Sequence, residues 1–191
     1  MPNIENKSQQ VVLITGGSRG IGAQTAKLFA SENYAVCINY KSDENAANQI
    51  VKEITDQGGN CIAVKADVSK ESDVITLFET IDKELGTISV LVNNAGILQS
   101  QMRLDEMDAD RINTILTTNI TSYFLCSREA IKRMSTRYDG NGGSIVNVSS
   151  VASKTGSPTE YIDYASSKGA IDTLSIGLSK EIAQEKIRVN C

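Results

Sequence analysis

Short runs rich in Val and Ile alternate with longer amphipathic segments along the whole sequence, and this alternation limits the possible folds more than any other feature. It is typical of repeated strand, helix, strand units that build a parallel sheet. Strands are predicted at 11–14, 35–40, 61–65, 88–92 and 145–148, with a last strand from Ile187. We therefore predict an α/β fold, a doubly wound parallel sheet of the Rossmann type with helices on both faces.

One long helix is predicted over about 109–136. Its predicted buried side carries Asn119 and the apolar residues Ile112, Ile115, Leu116, Ile120, Tyr123 and Phe124. An amide on an apolar stripe costs a few kcal/mol unless it is hydrogen-bonded. Asn119 is therefore expected to bond to the backbone, and such a bond does not exclude a role in catalysis.

Length and charge indicate the kind of partner. With 191 residues and 40% hydrophobic content, residues 1–191 are expected to form a single domain. The net charge of -4 comes from interspersed acids and bases, which disfavours nucleic acid and anionic membranes and favours a small-molecule ligand. Because the sequence has neither a signal-like start nor an apolar run of membrane-spanning length, we expect a cytoplasmic protein.

The sequence contains no histidine, and its four cysteines are scattered without CxxC spacing. Hydrolases that need an imidazole base are thereby excluded, and no metal site is predicted. Acid or base chemistry must therefore use Tyr, Lys, Asp or Glu.

A glycine-rich turn at 15–22, Thr-Gly-Gly-Ser-Arg-Gly-Ile-Gly, follows the first strand and opens a helix. Backbone amides in such a turn can approach a pyrophosphate closely. The spacing differs from GxGxxG, so a tight turn without ligand is the alternative. The candidate coenzyme-binding residues are Gly16, Ser18, Arg19, Gly20, Ile21 and Gly22.

The end of the second strand bears on the choice of coenzyme. NAD sites carry an acid about 20 residues beyond the glycine turn, whereas this strand ends in Asn-Tyr-Lys-Ser at 39–42. Lys41 and Arg19 could meet the extra phosphate of NADP, with Tyr40 beside them. This favours NADP(H) over NAD(H), and two solvated surface charges are the alternative.

Polar or small residues also follow the third and fourth strands. Asp67, followed by Val68, could accept from an adenine amino group or could start the next helix turn. The segment 93–96, with Asn93, Ala95 and Gly96, could support the coenzyme or form an ordinary Asx turn. The carboxyl ends of parallel strands lie at one edge of a sheet, so we expect these residues to converge.

Tyr164 and Lys168 lie four residues apart, which on a helix places a phenol and an ammonium on one face. An ammonium ~4 to 5 Å away favours the phenolate by ~3 to 4 kcal/mol. The phenol could then exchange protons near neutral pH. A surface pair without chemistry has the same spacing.

Taken together, residues 15–22 and 93–96, Ser150, Tyr164 and Lys168 resemble the short-chain dehydrogenase/reductase family over nearly the whole chain. The sequences of these segments are most similar to the 3-oxoacyl-carrier-protein reductase and glucose 1-dehydrogenase branch. The resemblance implies that Tyr164 is the general acid and base and that Lys168 lowers its pKa and holds the nicotinamide ribose. It further implies that Ser150 bonds the substrate oxygen, with Ser149 as the alternative, and that Asn119 holds a water in the proton relay.

The resemblance implies an NADP(H)-dependent oxidoreductase that acts on a carbonyl or a secondary alcohol and assembles as a homotetramer or dimer. It also implies a proline-glycine turn, a substrate lid, a helix and a last strand after Cys191, so the C-terminal part of the fold is expected to be missing. A non-catalytic NADP(H)-binding protein or a truncated fragment is the alternative. A hydrolase or transferase is disfavoured by the lack of histidine and of a GxSxG elbow.

Overall fold

The computed structural model describes residues 9–191 and contains a six-stranded sheet in the order β3-β2-β1-β4-β5-β6. Every neighbouring pair of strands is parallel. The strands are β1 (Val11–Ile14), β2 (Ala35–Tyr40), β3 (Asn60–Lys65), β4 (Ile88–Asn93), β5 (Gly143–Asn147) and β6 (Ile187–Asn190). The predicted doubly wound parallel sheet is confirmed, and its direction of winding reverses between β1 and β4.

Helices connect these strands. They are α1 (Gly20–Ser31), α2 (Glu44–Thr55), α3 (Glu71–Glu84), α4 (Ala109–Leu116), α5 (Ser122–Met134), α6 (Ala152–Thr155) and α7 (Ile162–Glu181). Short 3₁₀ turns lie at Leu104–Glu106, Thr136–Tyr138 and Ala183–Glu185.

Two apolar layers cover the two faces of the sheet. One packs α3 and α5 onto the sheet through Phe78 and Cys126, with Ile182 beyond α7 at its margin. The other packs α1 and α2 through Ala26 and Ile50. Because β1 and β2 are covered on both faces, every residue in them is buried, and all are apolar except Asn39 near the end of β2.

The register of the central strands sets the position of the site. Ile14 at the end of β1 pairs with Val92 near the end of β4. The segments that follow these two strands therefore emerge side by side at the point where the winding reverses, where open α/β sheets form a crevice.

The long helix predicted over about 109–136 is found as one unbroken helical run over 109–134. A π-helical turn at Thr117–Thr121, which the sequence did not predict, lies between α4 and α5. A π turn inserts extra backbone and rotates the following residues relative to α-helical spacing. Tyr123 and Asn119 remain buried as predicted, but Phe124 is 52% exposed, which corrects its expected burial.

Candidate active site

The glycine turn and the segment after β4 form one hydrogen-bonded unit. The Thr15 hydroxyl oxygen accepts from the backbone N–H groups of Asn94 and Ala95, both at 2.9 Å. In return the Asn94 side-chain amide donates to the carbonyl oxygens of Thr15, at 2.8 Å, and Gly16, at 3.1 Å. Two motifs about 80 residues apart in sequence are thus fixed against each other.

Close packing explains the glycines of this turn. A Cβ added at Gly22 would lie 2.5 Å from the Gly16 carbonyl oxygen, and Gly16 itself has a φ of 62°. Helix α1 begins at Gly20 with no acidic residue in its first turn and no side chain capping it. The first amides of α1 are therefore available for an anion, which fits the pyrophosphate of a dinucleotide.

A cleft of about 420 Å³ opens beside this turn. Of the predicted coenzyme-binding residues, it is lined by Gly16, Ser18, Arg19, Gly20, Ile21, Tyr40, Lys41, Asp67, Val68, Ala95 and Gly96. It is also lined by Asn39, Asn94, Ile97 and Thr118, which sequence reasoning did not single out as coenzyme-binding residues. The cleft lies at the carboxyl ends of the strands, as predicted for the polar residues of this edge.

Four of the predicted coenzyme-binding residues do not line this cleft: Gly22, Asn93, Tyr164 and Lys168. Gly22 packs behind the turn, against the Gly16 carbonyl. The Asn93 side chain is 1% exposed and donates to Asn147 Oδ1 at 2.9 Å and Ser127 Oγ at 3.1 Å. Its amide joins the ends of β4 and β5, whereas Asn94 next to it reaches the glycine turn.

Asn39 holds the floor of the cleft. Its side chain is 2% exposed, accepts from the Gly16 N–H at 3.3 Å and donates to the Ala66 carbonyl at 2.9 Å. It thereby links the ends of β1, β2 and β3. The available sequence signal was a polar residue near the end of an otherwise apolar strand, because a buried amide must find hydrogen-bond partners.

Lys41 and Asp67 form an ion pair of 2.8 Å in the cleft wall, with the Lys41 side chain 65% exposed. Partial burial raises the pKa of Asp67, but bonds from the Lys41 ammonium and from Ser69 outweigh it, so this pKa lies below its usual range. Arg19 lines the same cleft. The two cations predicted to meet a phosphate therefore share one cleft.

Lys168 is buried beside Tyr164 on α7. Its side-chain nitrogen Nζ lies 5.7 Å from the centre of the Tyr164 ring, and only 3% of the residue is exposed. Nζ donates to the Val148 carbonyl at 2.6 Å and to the Tyr123 hydroxyl at 3.2 Å. Burial lowers the pKa of Lys168 to about 8, because desolvation disfavours the ammonium form.

The two adjacent serines after β5 have different partners. Ser149 Oγ donates to the Asp172 carboxylate at 2.5 Å, and this bond is the main reason why the pKa of Asp172 is lowered. Ser150 Oγ accepts from the Ala152 N–H at 3.2 Å, which leaves its own hydroxyl hydrogen available. Of the two predicted candidates, Ser150 is the one with a hydroxyl proton free to bind a substrate.

Asn119 has the backbone bonds that the sequence predicted. The residue is fully buried, its amide oxygen accepts from the Ile97 N–H at 2.8 Å, and its nitrogen donates to the Ile97 carbonyl at 3.0 Å. The nitrogen also donates to Ser167 Oγ at 3.2 Å. A Cβ on Gly96 would lie 3.4 Å from the Asn119 amide oxygen and 3.8 Å from Lys168 Nζ. Asn119 and Lys168 therefore meet beside Gly96, which lines the cleft.

Comparison with known proteins identifies the family of this chain. The family model for short chain dehydrogenases matches residues 10–191. The chain belongs to this family. An uncharacterized oxidoreductase of Escherichia coli K12, YgfF, is 54% identical over 181 residues, which span 95% of this chain and 73% of that protein. A 3-oxoacyl-[acyl-carrier-protein] reductase of Synechocystis is 35% identical over 181 residues, which span 95% of this chain and 71% of the reductase.

Solved structures of short-chain dehydrogenases share the fold. The enzyme of Serratia marcescens BCRC 10948 superposes with a TM-score of 0.88 at 30% identity, covering 96% of this chain and 73% of that one. The family and the fold class predicted from the sequence are thus confirmed, and the chain is an oxidoreductase of the short-chain dehydrogenase family. Within residues 9–191, no helix combines the length and apolar character needed to cross a membrane.

This short-chain dehydrogenase also contains a buried ion pair that sequence reasoning missed. Arg111 Nε donates to Asp163 Oδ2 at 2.9 Å, with the two side chains 8% and 3% exposed. Arg111 Nη1 donates to the Ser100 carbonyl, and Asp163 Oδ1 accepts from the Tyr164 N–H at 2.8 Å. The pair ties α4 to the turn of α7 that presents Tyr164. Its partners are 52 residues apart, so no local pattern reveals it.

Proposed function

We propose that this short-chain dehydrogenase interconverts a carbonyl compound and a secondary alcohol with NADP(H) as coenzyme. The observation that carries the proposal is the Lys168 ammonium, buried 5.7 Å from the centre of the Tyr164 ring and next to Gly96 in the wall of a cleft suited to a dinucleotide. With a pKa of about 8, Lys168 keeps roughly nine-tenths of its charge at pH 7. This charge lies beside the Tyr164 phenol, where negative charge develops as the hydroxyl gives up its proton.

Tyr164 acts as the general acid in reduction and as the general base in oxidation. In reduction its phenol gives a proton to the oxygen of the substrate as negative charge develops there, and the neighbouring Lys168 ammonium stabilises the resulting phenolate. The free hydroxyl proton of Ser150 bonds the same oxygen and orients the carbonyl. The nicotinamide coenzyme, when bound, supplies or accepts the hydride.

The coenzyme is held by the glycine turn and the cleft wall. The first amides of α1 would hold the pyrophosphate, and Arg19 and Lys41 would bind the extra phosphate of NADP. Asp67 and Val68 would lie beside the adenine. A carboxylate alone at the end of β2 would favour NAD(H), whereas here Lys41 occupies that place and neutralises Asp67 across the cleft.

Asn119 contributes to the site through its position. Both N–H groups of its side-chain amide are used by Ile97 and Ser167, and its oxygen already accepts from Ile97, so we expect a relay water to bind a main-chain group near Asn119. The π-helical turn that contains Asn119 supports this reading, because such turns leave backbone groups outside the regular helical bonds.

We further propose that the active protein is a homo-oligomer, a tetramer or a dimer, that uses α5 and α7. Phe124 on α5 is 52% exposed and Ile176 on α7 is 58% exposed, and covering them would remove apolar area from water. Light scattering after gel filtration measures the assembly, and a monomer throughout the micromolar range would contradict it.

Replacement of Tyr164 tests the reaction. Tyr164→Phe removes only the hydroxyl, so reduction of a panel of ketones and aldehydes with NADPH should fall by at least about 10³-fold, while NADPH binding followed by nicotinamide fluorescence stays nearly unchanged. Tyr138→Phe is the matched control, because that tyrosine is 52% exposed on the short helix after α5. Turnover that survives in Tyr164→Phe would rule out the mechanism. NADPH binding by the parent without reduction of any carbonyl would favour a coenzyme-binding protein.

A further inference from the structure

A second tyrosine hydroxyl, outside the proposed reaction, contacts the Lys168 ammonium. Tyr123 lies in the first turn of α5 and is 1% exposed. Its hydroxyl donates to the Val148 carbonyl at 3.0 Å, and Lys168 Nζ bonds both atoms, at 3.2 Å to the hydroxyl and 2.6 Å to the carbonyl. The hydroxyl, the carbonyl and the ammonium therefore form a closed triangle.

The Tyr123 hydroxyl can act in this triangle only as a fixed dipole. Burial raises the pKa of Tyr123 well above its usual range, so the phenol stays neutral at any pH at which the protein works. Its single proton is committed to the Val148 carbonyl, and its oxygen lone pairs are left for the ammonium. A buried hydroxyl that serves only packing would cost free energy relative to phenylalanine, whereas this one pairs with a charge.

The triangle determines where the rest of the ammonium points. An ammonium has three N–H donors, and two of those on Lys168 are used inside the protein. Nζ lies between two rings, 5.2 Å from the centre of the Tyr123 ring and 5.7 Å from that of Tyr164. The remaining N–H is left for the side of Tyr164, where Gly96 of the cleft wall lies next to Nζ.

The other ionisable groups near the ammonium are few. Asp172 on α7 and Cys191 after β6 raise the pKa of Lys168, and burial outweighs them. Asp172 is already bonded to Ser149 and to Lys154. The bonds that counter the desolvation of the ammonium therefore come from Val148 and Tyr123, and α5 supplies only the second of these.

We propose that Tyr123 is a positioning residue whose hydroxyl holds the Lys168 ammonium in place against Val148, so that its charge acts on Tyr164. The inference rests on the proposed function only in that Lys168 assists Tyr164. A lysine side chain has four flexible torsions, and one acceptor fewer lets the ammonium occupy several places. The hydroxyl of Tyr123 thus keeps the charge near the reacting phenol.

Tyr123→Phe isolates the hydroxyl, because it keeps the ring and its packing beneath Lys168. A hydrogen bond to the ammonium stabilises the charged form, so its loss should lower the pKa of Lys168 by about one unit. NMR titration of ¹³Cε-labelled lysines, with the Lys168 signal assigned by its absence in Lys168→Met, measures this directly. The kcat for carbonyl reduction at pH 8 should fall about fivefold, because the charged fraction of Lys168 drops from about one half to about one tenth, and the alkaline limb of its pH profile should move about one unit lower.

Tyr34→Phe is the matched control. The Tyr34 ring packs edge-on against Phe29 at 5.0 Å, in the layer on the other face of the sheet, so its loss of a hydroxyl should leave the Lys168 titration and the pH profile as in the parent. A merely structural Tyr123 would change only the Tm. If Tyr123→Phe does not fold, 3-fluorotyrosine at position 123 replaces it, since a weaker acceptor oxygen should lower the Lys168 pKa in the same direction.

An unchanged Lys168 titration in the variant would overturn the inference, whatever the activity. A parent that reduces no carbonyl, together with a shifted Lys168 titration in Tyr123→Phe, would refute the proposed function and leave the positioning role supported. The two failures are therefore distinguishable.

Discussion

Removal of one charge from the buried pair between Arg111 and Asp163 should destabilise the protein strongly. Asp163→Asn keeps the shape of the side chain but leaves the Arg111 guanidinium, 8% exposed, without its carboxylate. The Nη2 nitrogen of Arg111 already lacks a hydrogen-bond partner within residues 9–191. An uncompensated buried charge costs about 3 to 5 kcal/mol, which for a chain of this size lowers Tm by roughly 6 to 20 °C.

Thermal unfolding at pH 7, followed by circular dichroism, measures this loss. The matched control is Asp105→Asn, because Arg103 and Asp105 form an ion pair at the same 2.9 Å with side chains 64% and 67% exposed. Water and salt screen that exposed pair, so its loss should leave Tm unchanged. The two variants break the same kind of bond and differ chiefly in burial.

A double variant separates the pair from its surroundings. Arg111→Met combined with Asp163→Leu removes both charges and should recover most of the stability that Asp163→Asn loses, because apolar side chains suit a buried site. Equal Tm shifts for Asp163→Asn and Asp105→Asn would refute the argument that burial decides the cost. A double variant no more stable than Asp163→Asn would refute the direct coupling of the two residues.

Three further results are expected. Lys168→Met should be more stable than the parent at pH 7 by up to about 3 kcal/mol, because burial of the ammonium destabilises the folded parent below its folded pKa of about 8. In urea titrations this difference in unfolding free energy should shrink from pH 8 towards 10.5, where the unfolded lysine also loses its proton. A difference that stays constant with pH would contradict the prediction. Gly22→Ala should lower the free energy of unfolding by about 1 to 3 kcal/mol and weaken NADPH binding, because its Cβ would lie 2.5 Å from a carbonyl oxygen. Gly177→Ala on α7, with open space around it, is the control and should leave the free energy of unfolding unchanged or raise it. Equal effects of the two variants in chemical denaturation would refute the packing argument. Lys41→Ala should raise the Kd for NADPH about tenfold and that for NADH little in fluorescence titrations, and equal losses for both coenzymes would argue against a phosphate contact.

The sequence by itself determined the sheet and most of the residues that line the cleft at the carboxyl ends of its strands. Short runs rich in Val and Ile, bounded by glycine and polar residues, are local signals that are typical of strands in a parallel sheet covered on both faces. The predicted bounds of β1 and β2 match the structure, and Gly16, Lys41, Asp67 and Gly96 come together in one cleft as the order of the strands required.

The path of the helices around the site was decided by tertiary structure. A hydrophobic stripe read at 3.6 residues per turn has no means of indicating a π turn, so the sequence placed Phe124 in the core where the structure exposes it. The turn allows Asn119 to bond Ile97 while Tyr123 faces Lys168. The contacts of this helix with neighbouring segments determine the orientation of Asn119 and Tyr123, and residue spacing along a single helix does not contain that information.

The sequence likewise placed Tyr164 and Lys168 on one helical face, because i and i+4 are neighbours on any helix. It did not determine what surrounds them. Lys168 is bonded by Val148 and Tyr123, which lie 20 and 45 residues away along the chain. Asp163, the residue before Tyr164, is bonded by Arg111, which lies 52 residues away. The local sequence pattern places Tyr164 and Lys168 side by side. The charge and position of the Lys168 ammonium depend on burial by distant segments, because desolvation and hydrogen bonding arise only in the folded structure.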